Sequence, residues 1–157
     1  MLLSSANKDL LNAKAPWDGG ELGLGNLLQG QVGVVVGTYD FARDGGDASA
    51  VITLKDSISG KPISLPVGAI VTKSYIDVQT PCVGAGSIAL STGQTAADIL
   101  AATAAASITG IMAGVSVGTA ATMKKISSTA KTPTATLSVG TITAGKFSVF
   151  MEFVISS

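Results

Sequence analysis

The chain has 157 residues, ten acidic and ten basic side chains, and a formal net charge of zero. Only 13% of its residues are charged, against about 25% in typical soluble domains. This composition offers no basic footprint for nucleic acid or anionic lipid, and it protects the chain poorly against association. The length predicts one domain with an appended arm, and we expect a partner to cover part of its apolar surface.

Residues 1–30 differ in character from the rest of the chain. They carry eight leucines, five glycines and the only tryptophan, without a persistent helical or strand period. A free arm would be polar. We therefore predict two parts, an extended N-terminal docking arm over 1–30 and a β-domain over 31–157. The predicted subunit-interface residues of the arm are Trp17, Leu22, Leu24, Leu27 and Leu28.

Strand signals begin at Gln31 and recur along the chain. Runs of β-branched and alternating residues, separated by turn residues, predict strands over 31–39, 50–55, 63–66, 69–80, 86–91, 121–127, 134–139 and 146–155. Within 69–80, Ile70, Ile76 and Val78 are predicted to share a face. Strands at this spacing predict a mainly all-β fold, an antiparallel β-sandwich or small barrel, with the jelly roll favoured.

The last two runs form the clearest pattern in the sequence. In 146–155 one parity is apolar (Phe147, Val149, Met151, Phe153 and Ile155), which predicts a half-buried strand. A short loop with Gly140 and Gly145 joins it to 134–139, and this arrangement predicts a β-hairpin that closes the chain.

One short helix is predicted between the β-runs. Thr95 and Asp98 have the spacing of a capping box, with Thr95 at the N-cap and Asp98 three residues later. The alanine-rich segment that follows is typical of a helix, which we predict over 99–105.

The candidate catalytic motif is rejected on composition. Residues 114–118 read Gly-Val-Ser-Val-Gly, which matches the nucleophile elbow of serine hydrolases. That motif needs a histidine partner, and the chain contains no histidine. A glycine-rich turn is therefore the favoured interpretation of the motif, and we predict a protein that is not an enzyme and has no cofactor.

Two further residue groups receive structural interpretations. Asp40, Asp44 and Asp47 lie in a glycine-containing loop without EF-hand spacing, so an ordinary turn is favoured over a weak cation site. Cys82 is the single cysteine and cannot form an intrachain disulfide; a small buried apolar residue is the favoured interpretation. The N-terminus carries no secretion signal, which predicts synthesis in a cytoplasm without export.

Two alternatives come from other classes of protein. Residues 99–123 are uncharged, long enough to span a bilayer, and contain glycines at 110, 114 and 118 in the spacing of packed membrane helices. Because the segment is mostly Ala, Thr, Ser and Gly, buried elements of a soluble fold are favoured over membrane association. A fibre or adhesin domain that binds a glycan or receptor would need exposed aromatic residues, for which Trp17, Tyr39 and Tyr75 are the candidates.

The order of motifs from residue 31 to residue 155 resembles that of another group of proteins. It runs through Leu65-Pro66, then Gly86-Ser-Ile-Ala-Leu90, Ala97-Asp98-Ile-Leu100, Thr132-Pro-Thr-Ala-Thr-Leu137 and finally Ala144-Gly145-Lys146-Phe-Ser-Val149. This succession resembles the capsid decoration, or cement, proteins of tailed bacteriophages. The resemblance implies a β-sandwich or jelly roll on the outer capsid surface, often as a homotrimer, with the major capsid protein as partner. It predicts a virion structural protein that bridges neighbouring capsid subunits and engages neither nucleic acid nor membrane.

Overall fold

A computed structural model describes residues 32–114, 125–126 and 128–156. These residues form eight strands and two short helical turns. The strands are β1 (Val32–Asp40), β2 (Val51–Thr53), β3 (Ala69–Gly84), β4 (Ser87–Ser91), β5 (Leu100–Ala104), β6 (Ile111–Ala113), β7 (Thr134–Ser138) and β8 (Ile142–Ile155). The helical turns are α1 (Phe41–Asp44) and a 3-10 turn (Ala105–Ser107).

The strands form two four-stranded antiparallel sheets. One sheet has the order β1-β8-β3-β6 and the other β2-β7-β4-β5. Among the described strands, only β4 and β5 follow each other within one sheet, so every other connection crosses from sheet to sheet. This is the strand order of an eight-stranded jelly roll. The predicted all-β sandwich is therefore confirmed.

The hydrophobic core lies between the two sheets. Both sheets contribute alternate residues to it, because successive side chains of a strand point to opposite faces. On β8, four residues of the predicted apolar face are fully buried: Phe147, Val149, Met151 and Phe153. The fifth, Ile155, is partly buried against the same core. The Phe147 ring packs against the ring of Tyr39 at 5.1 Å, so Tyr39 is a core residue and the suggestion that it is an exposed aromatic is wrong.

The predicted closing hairpin is wrong. β7 pairs with β2 and β4, whereas β8 pairs with β1 and β3 in the opposite sheet. The chain turns a corner between the sheets at Val139 and Gly140. An alternating strand buries one face equally well in a hairpin or in a sandwich, so the pattern could not separate the two pairings.

The predicted helix over 99–105 is also wrong. The chain forms β5 there and pairs with β4. Asp98 does not cap a helix, because its buried carboxylate accepts hydrogen bonds from the Thr92 backbone N–H (2.7 Å) and hydroxyl (2.5 Å). Tertiary pairing at the sheet edge overrides the helix propensity of alanine, because intrinsic propensity is a small local preference.

A bulge in β3 corrects one predicted face. The pairing of β3 with β8 shifts between Val71 and Lys73, and such an extra residue reverses the inward and outward positions that follow. Ile76 therefore points into the core, whereas Ile70, paired with Val154, lies on the outer face. The strand predicted over 63–66 is reduced to an isolated bridge between Leu65 and Lys131.

Several predictions fall outside the described residues. The arm over 1–30 lies there, with Trp17, Leu22, Leu24, Leu27 and Leu28, and so does Ser116 of the elbow-like motif. Most of the strand predicted over 121–127 lies there too. In the described part of the chain no helix is long and apolar enough to cross a membrane.

Candidate interaction surface

The outer faces of the two sheets differ sharply in chemistry. The outer face of the β2-β7-β4-β5 sheet presents mainly small hydroxyl side chains, as the register of its strands requires. These are Thr53, Ser87, Thr134, Thr136 and Ser138. Small polar residues of this kind are suited to contact with water. The opposite sheet is built differently.

The outer face of the β1-β8-β3-β6 sheet carries large apolar side chains in register. One row runs across all four strands through Val36, Phe150, Tyr75 and Ala113. A second row, two rungs away from the first, runs through Val32, Val154 and Ile70. Val34 lies between the rows on β1. We call these residues together the valine–aromatic face.

Many of these side chains are exposed. The exposed fractions are 59% for Val32, 54% for Val34, 37% for Val36 and 44% for Tyr75. Ile111, on the outer side of β6 beside Asp77, is 82% exposed. Single exposed apolar residues are ordinary, but a contiguous set on one face marks an interaction surface.

The aromatic pair at the middle of the face is preorganised. The rings of Tyr75 and Phe150 stack with centroids 5.1 Å apart and an interplanar angle of 14°. Each ring limits the rotamers of the other, so little side-chain entropy remains to be lost on binding. Rigid aromatic residues that are at least partly exposed are typical anchors of protein interfaces.

The face carries few charged side chains. Between the two apolar rows, Lys73 Nζ lies 3.9 Å from Glu152 Oε1, and the Thr72 hydroxyl donates to the same carboxylate oxygen at 3.3 Å. At one end, the Gln79 side-chain amide donates to Asp77 (3.1 Å) and to Ser148 (3.1 Å). An exposed ion pair contributes little stability. The face is thus near-neutral, and it suits an apolar protein surface better than a charged polymer.

A polar cluster closes one corner of the same sheet. The buried carboxylate of Asp44, in α1, accepts from Arg43 (2.8 Å), Lys55 (2.7 Å) and the backbone N–H of Asp40 (3.0 Å). Burial alone would raise the pKa of Asp44, but these hydrogen bonds outweigh it and lower the pKa to about 2. Arg43 also donates to the carbonyl of Thr38 at 2.7 Å. The cluster therefore ties the end of β1 to the loop after β2.

The same contacts involve Asp40 and Asp44, two of the three aspartates considered as a weak cation site. Asp40 forms an ion pair with Lys146 at 3.0 Å, and the hydrogen bond from Lys146 lowers the pKa of Asp40. Both carboxylates thus have cationic partners from the chain itself. Within the described residues no group of three or more metal-ligating side chains is present. The sequence interpretation as an ordinary turn agrees with the N-cap of α1, where Asp40 accepts from the N–H of Ala42 at 3.0 Å.

Sequence reasoning missed the valine–aromatic face. The signal lay in the residues that broke the alternation. Val34-Val35-Val36 is an unbroken apolar run, and Phe150 and Val154 occupy the nominally polar parity of β8. Such runs indicate a strand that is covered on both faces. Among the described residues, the opposite sheet of the sandwich covers only the inner face of this sheet, and the outer face keeps its exposed valines.

Comparison with known proteins establishes the fold. No protein-family model matches the sequence, and no curated protein sequence is significantly similar to it. Three solved structures of phage capsids contain chains with a similar fold. The first, from the capsid asymmetric unit of cyanophage Pam1, has a TM-score of 0.57 and 18% identity over 82% of this chain and 88% of that chain.

The other two similar structures extend the same observation. A chain in the acid-stable capsid of Helicobacter pylori bacteriophage KHP30 has a TM-score of 0.55 and 12% identity, with 83% of this chain and 92% of that chain covered. A chain in the capsid of Ralstonia phage GP4 has a TM-score of 0.56 and 11% identity, with coverages of 83% and 88%. At these identities the likeness shows a shared fold.

Proposed function

We propose that the chain is a non-enzymatic structural protein of a phage virion, which binds the outer surface of the capsid and stabilises it by bridging neighbouring capsid subunits. The observation that carries the proposal is the jelly roll itself, because chains of similar fold are parts of three phage capsids. The resemblance to decoration proteins in the order of the sequence motifs supports the same role. The major capsid protein is the proposed partner.

The valine–aromatic face supplies the physical basis for binding. An apolar surface of this kind gains about 25 cal/mol per Å² when it is removed from water. A specific protein interface buries about 1,600 Å² in total, about half of it from each partner. We propose that the outer face of this sheet contributes to this chain's half of one such interface. Many copies on a regular shell would add many such contributions. In this mechanism Tyr75 and Phe150 are the anchors, and the near-neutral charge of the face avoids a large desolvation cost.

The N-terminal arm is the second proposed contact. Residues 1–30 carry Trp17, Leu22, Leu24, Leu27 and Leu28, whose exposure to water is unfavourable. In the proposal these residues dock on a neighbouring subunit, either another copy of the chain or the major capsid protein. A trimer is favoured, as the resemblance implies. Ordering the arm on assembly costs conformational entropy, but it lets a small protein reach across several subunits.

The test uses purified chain and capsids assembled without it. The unmodified chain should bind at a fixed stoichiometry and raise the temperature at which the particles break open. Tyr75→Lys places a charge in the middle of the valine–aromatic face and should weaken binding at least about tenfold, as the loss of an interface anchor does. Binding can be measured by co-sedimentation, and particle stability by the release of packaged DNA on heating.

The matched control is Val51→Lys. Val51 is 67% exposed and lies on the outer face of the opposite sheet, so the same charge is added away from the proposed interface. It should bind like the unmodified chain. Failure of the unmodified chain to bind any capsid would refute the proposed function. Equal binding by Tyr75→Lys would leave capsid binding intact and remove the valine–aromatic face from it.

The arm has its own test. A chain that begins at Gln31 should fold with β-rich circular dichroism and a cooperative melt, but bind capsids much more weakly than the full chain. Equal binding would refute the docking role of the arm. Failure to fold would place residues 1–30 in the core of the domain instead.

A further inference from the structure

The edge of β1 is open along part of its length. Among the described strands, β1 pairs only with β8, because it is the outermost strand of its sheet. At Thr38 the backbone N–H and carbonyl point away from β8, since both are hydrogen-bonded to Lys55 at 2.7 and 3.2 Å. In an antiparallel pair this direction alternates from residue to residue. The backbone groups of Val32, Val34 and Val36 therefore also point away from β8.

The open part of the edge has a defined boundary. At Asp40 the outward N–H is bonded to the carboxylate of Asp44, and at Thr38 the edge is covered by Lys55 and Arg43. Within the described part of the chain, nothing bonds the outward N–H and carbonyl groups of Val32, Val34 and Val36. The polar cluster at α1 thus covers the edge of β1 at Thr38 and Asp40. The open part of the edge runs from Val32 to Val36.

The open edge lacks the features that protect exposed strands. Natural sheets shield their edges with short strands, lysines, prolines or bulges. β1 has nine residues, whereas the other edge strands, β6, β2 and β5, have three, three and five. Its pairing with β8 runs without a register shift, and residues 32–36 contain neither lysine nor proline. The three exposed valines beside the open groups favour an added strand with apolar side chains.

We infer that the open edge of β1 accepts a strand from the N-terminal segment of a second copy of this chain, supplied by residues around Leu22 and Leu24. This inference rests on the proposed role of residues 1–30 as a docking arm, and it assigns the arm to a neighbouring copy. Residues 21–25 read Glu-Leu-Gly-Leu-Gly, an alternation that places both leucines on one face of an extended strand. On the outer side of the sheet they would extend the row of valines.

Two observations favour a second copy as the source of the strand. The arm joins the domain at Val32, so each chain carries a donor and an acceptor at the same corner. Head-to-tail exchange of this kind forms a ring when the rotation between copies closes, and the trimer that the resemblance implies is such a ring. Residues 27–31 read Leu-Leu-Gln-Gly-Gln, without the Asn-Gly or Asp-Gly pairs that favour a tight hairpin onto the same chain.

The test measures self-association of full-length chains in the absence of capsids. Val34→Pro removes the outward N–H donor at the centre of the open edge without touching a bond to β8. Leu22→Pro combined with Leu24→Pro disables the donor. Each variant alone should associate at least about tenfold more weakly than the unmodified chain, since edge hydrogen bonds are lost. Mass by light scattering gives the oligomeric state.

The decisive experiment mixes the two variants. The Val34→Pro variant retains the donor arm, and the double proline variant retains the acceptor edge. An equimolar mixture should therefore form heterodimers and no larger assembly. Val51→Lys adds a charge on the outer face of the opposite sheet, and it should associate like the unmodified chain. Val34→Lys blocks the edge by charge and replaces Val34→Pro if the proline variant loses its cooperative melt.

Three results would overturn the inference: a monomeric unmodified chain, unchanged association of the edge variants, or no heterodimer in the mixture. A monomer whose melting temperature falls with Leu22→Pro and Leu24→Pro would instead indicate that the arm pairs with its own β1. Because no capsid is present, each of these results leaves the proposed binding to the capsid standing. Loss of capsid binding with intact self-association would refute the proposed function and leave the strand exchange between copies standing.

Discussion

The ring of Phe153 fills the space beside Gly33 on the inner face of the sheet. The two residues are direct partners in the pairing of β8 with β1, and a Cβ on Gly33 would lie 2.5 Å from the ring carbon Cζ of Phe153. A large residue on one strand and the smallest on the next let the core close under β1 without a gap. Phe153 is fully buried in this position.

Truncation of Phe153 should therefore be severe. Phe153→Ala leaves a cavity between the sheets, and we expect a loss of about 3–5 kcal/mol in the free energy of unfolding. The matched control is Phe150→Ala, on the outer face of the same strand, which should lose about 1 kcal/mol with its stacking partner Tyr75. Urea denaturation measures both. A loss below about 1 kcal/mol for Phe153→Ala would contradict its place in the core.

The sequence predicted the buried face of each strand better than the partners of that strand. The alternation from Phe147 to Phe153 named the core side of β8 correctly, because burial follows the pleat. The same alternation could not tell that β7 and β8 lie in different sheets, since either pairing buries the same parity. The information that decides it is steric and non-local. It lies in the close approach of two chain crossings at glycines 84, 86 and 140.

Local signals failed where tertiary contacts decided the outcome. Thr95 and Asp98 have capping-box spacing, yet the Asp98 carboxylate accepts its hydrogen bonds from Thr92. The alanines that follow form β5 at the edge of a sheet. The interaction surface escaped prediction for a related reason. Val34, Phe150 and Tyr75 become one surface only through strand register, which joins residues that are distant in sequence. The bulge at residue 72 places Ile70 and Ile76 on opposite faces, and it leaves no mark in the hydrophobic pattern.

Gly84 lies where the connection from β3 to β4 passes close to the connection from β7 to β8. This residue has a φ of 139°, and a Cβ there would lie 2.2 Å from the carbonyl oxygen of Thr141. Gly84→Ala should cost at least about 3 kcal/mol, because strain and backbone overlap combine. Gly60→Ala is the control, since Gly60 also has a positive φ (67°) but open space around it. It should cost about 1 kcal/mol, and equal losses in thermal melts would refute the steric argument.

Cys82 should be inert in the folded protein. Its side chain is buried, and burial raises the pKa of the thiol to about 11. The thiolate is the reactive form, so at pH 8 the folded chain should react with a disulfide reagent at least about 100-fold more slowly than the urea-unfolded chain. The unfolded sample is its own control for reagent and pH. Rapid stoichiometric labelling of the folded chain would show that the region around Cys82 opens readily.

The polar cluster at α1 should make stability depend on pH in the acid range. The pKa of Asp44 falls from 3.8 to about 2 on folding, so its ionised form stabilises the fold above pH 4 and this contribution is lost as the pH falls towards 2. At pH 7, Asp44→Asn should lower the free energy of unfolding by about 2–3 kcal/mol, because hydrogen bonds between charged groups are lost. The difference in free energy of unfolding between the variant and the unmodified chain should shrink between pH 4 and pH 2, since protonation removes the same charge.

The control is Asp47→Asn, which changes an exposed carboxylate that forms no ion pair among the described residues. It should alter neither the free energy of unfolding at pH 7 nor its dependence on pH. A gap that stays constant down to pH 2 would mean that Asp44 is not held ionised by Arg43 and Lys55.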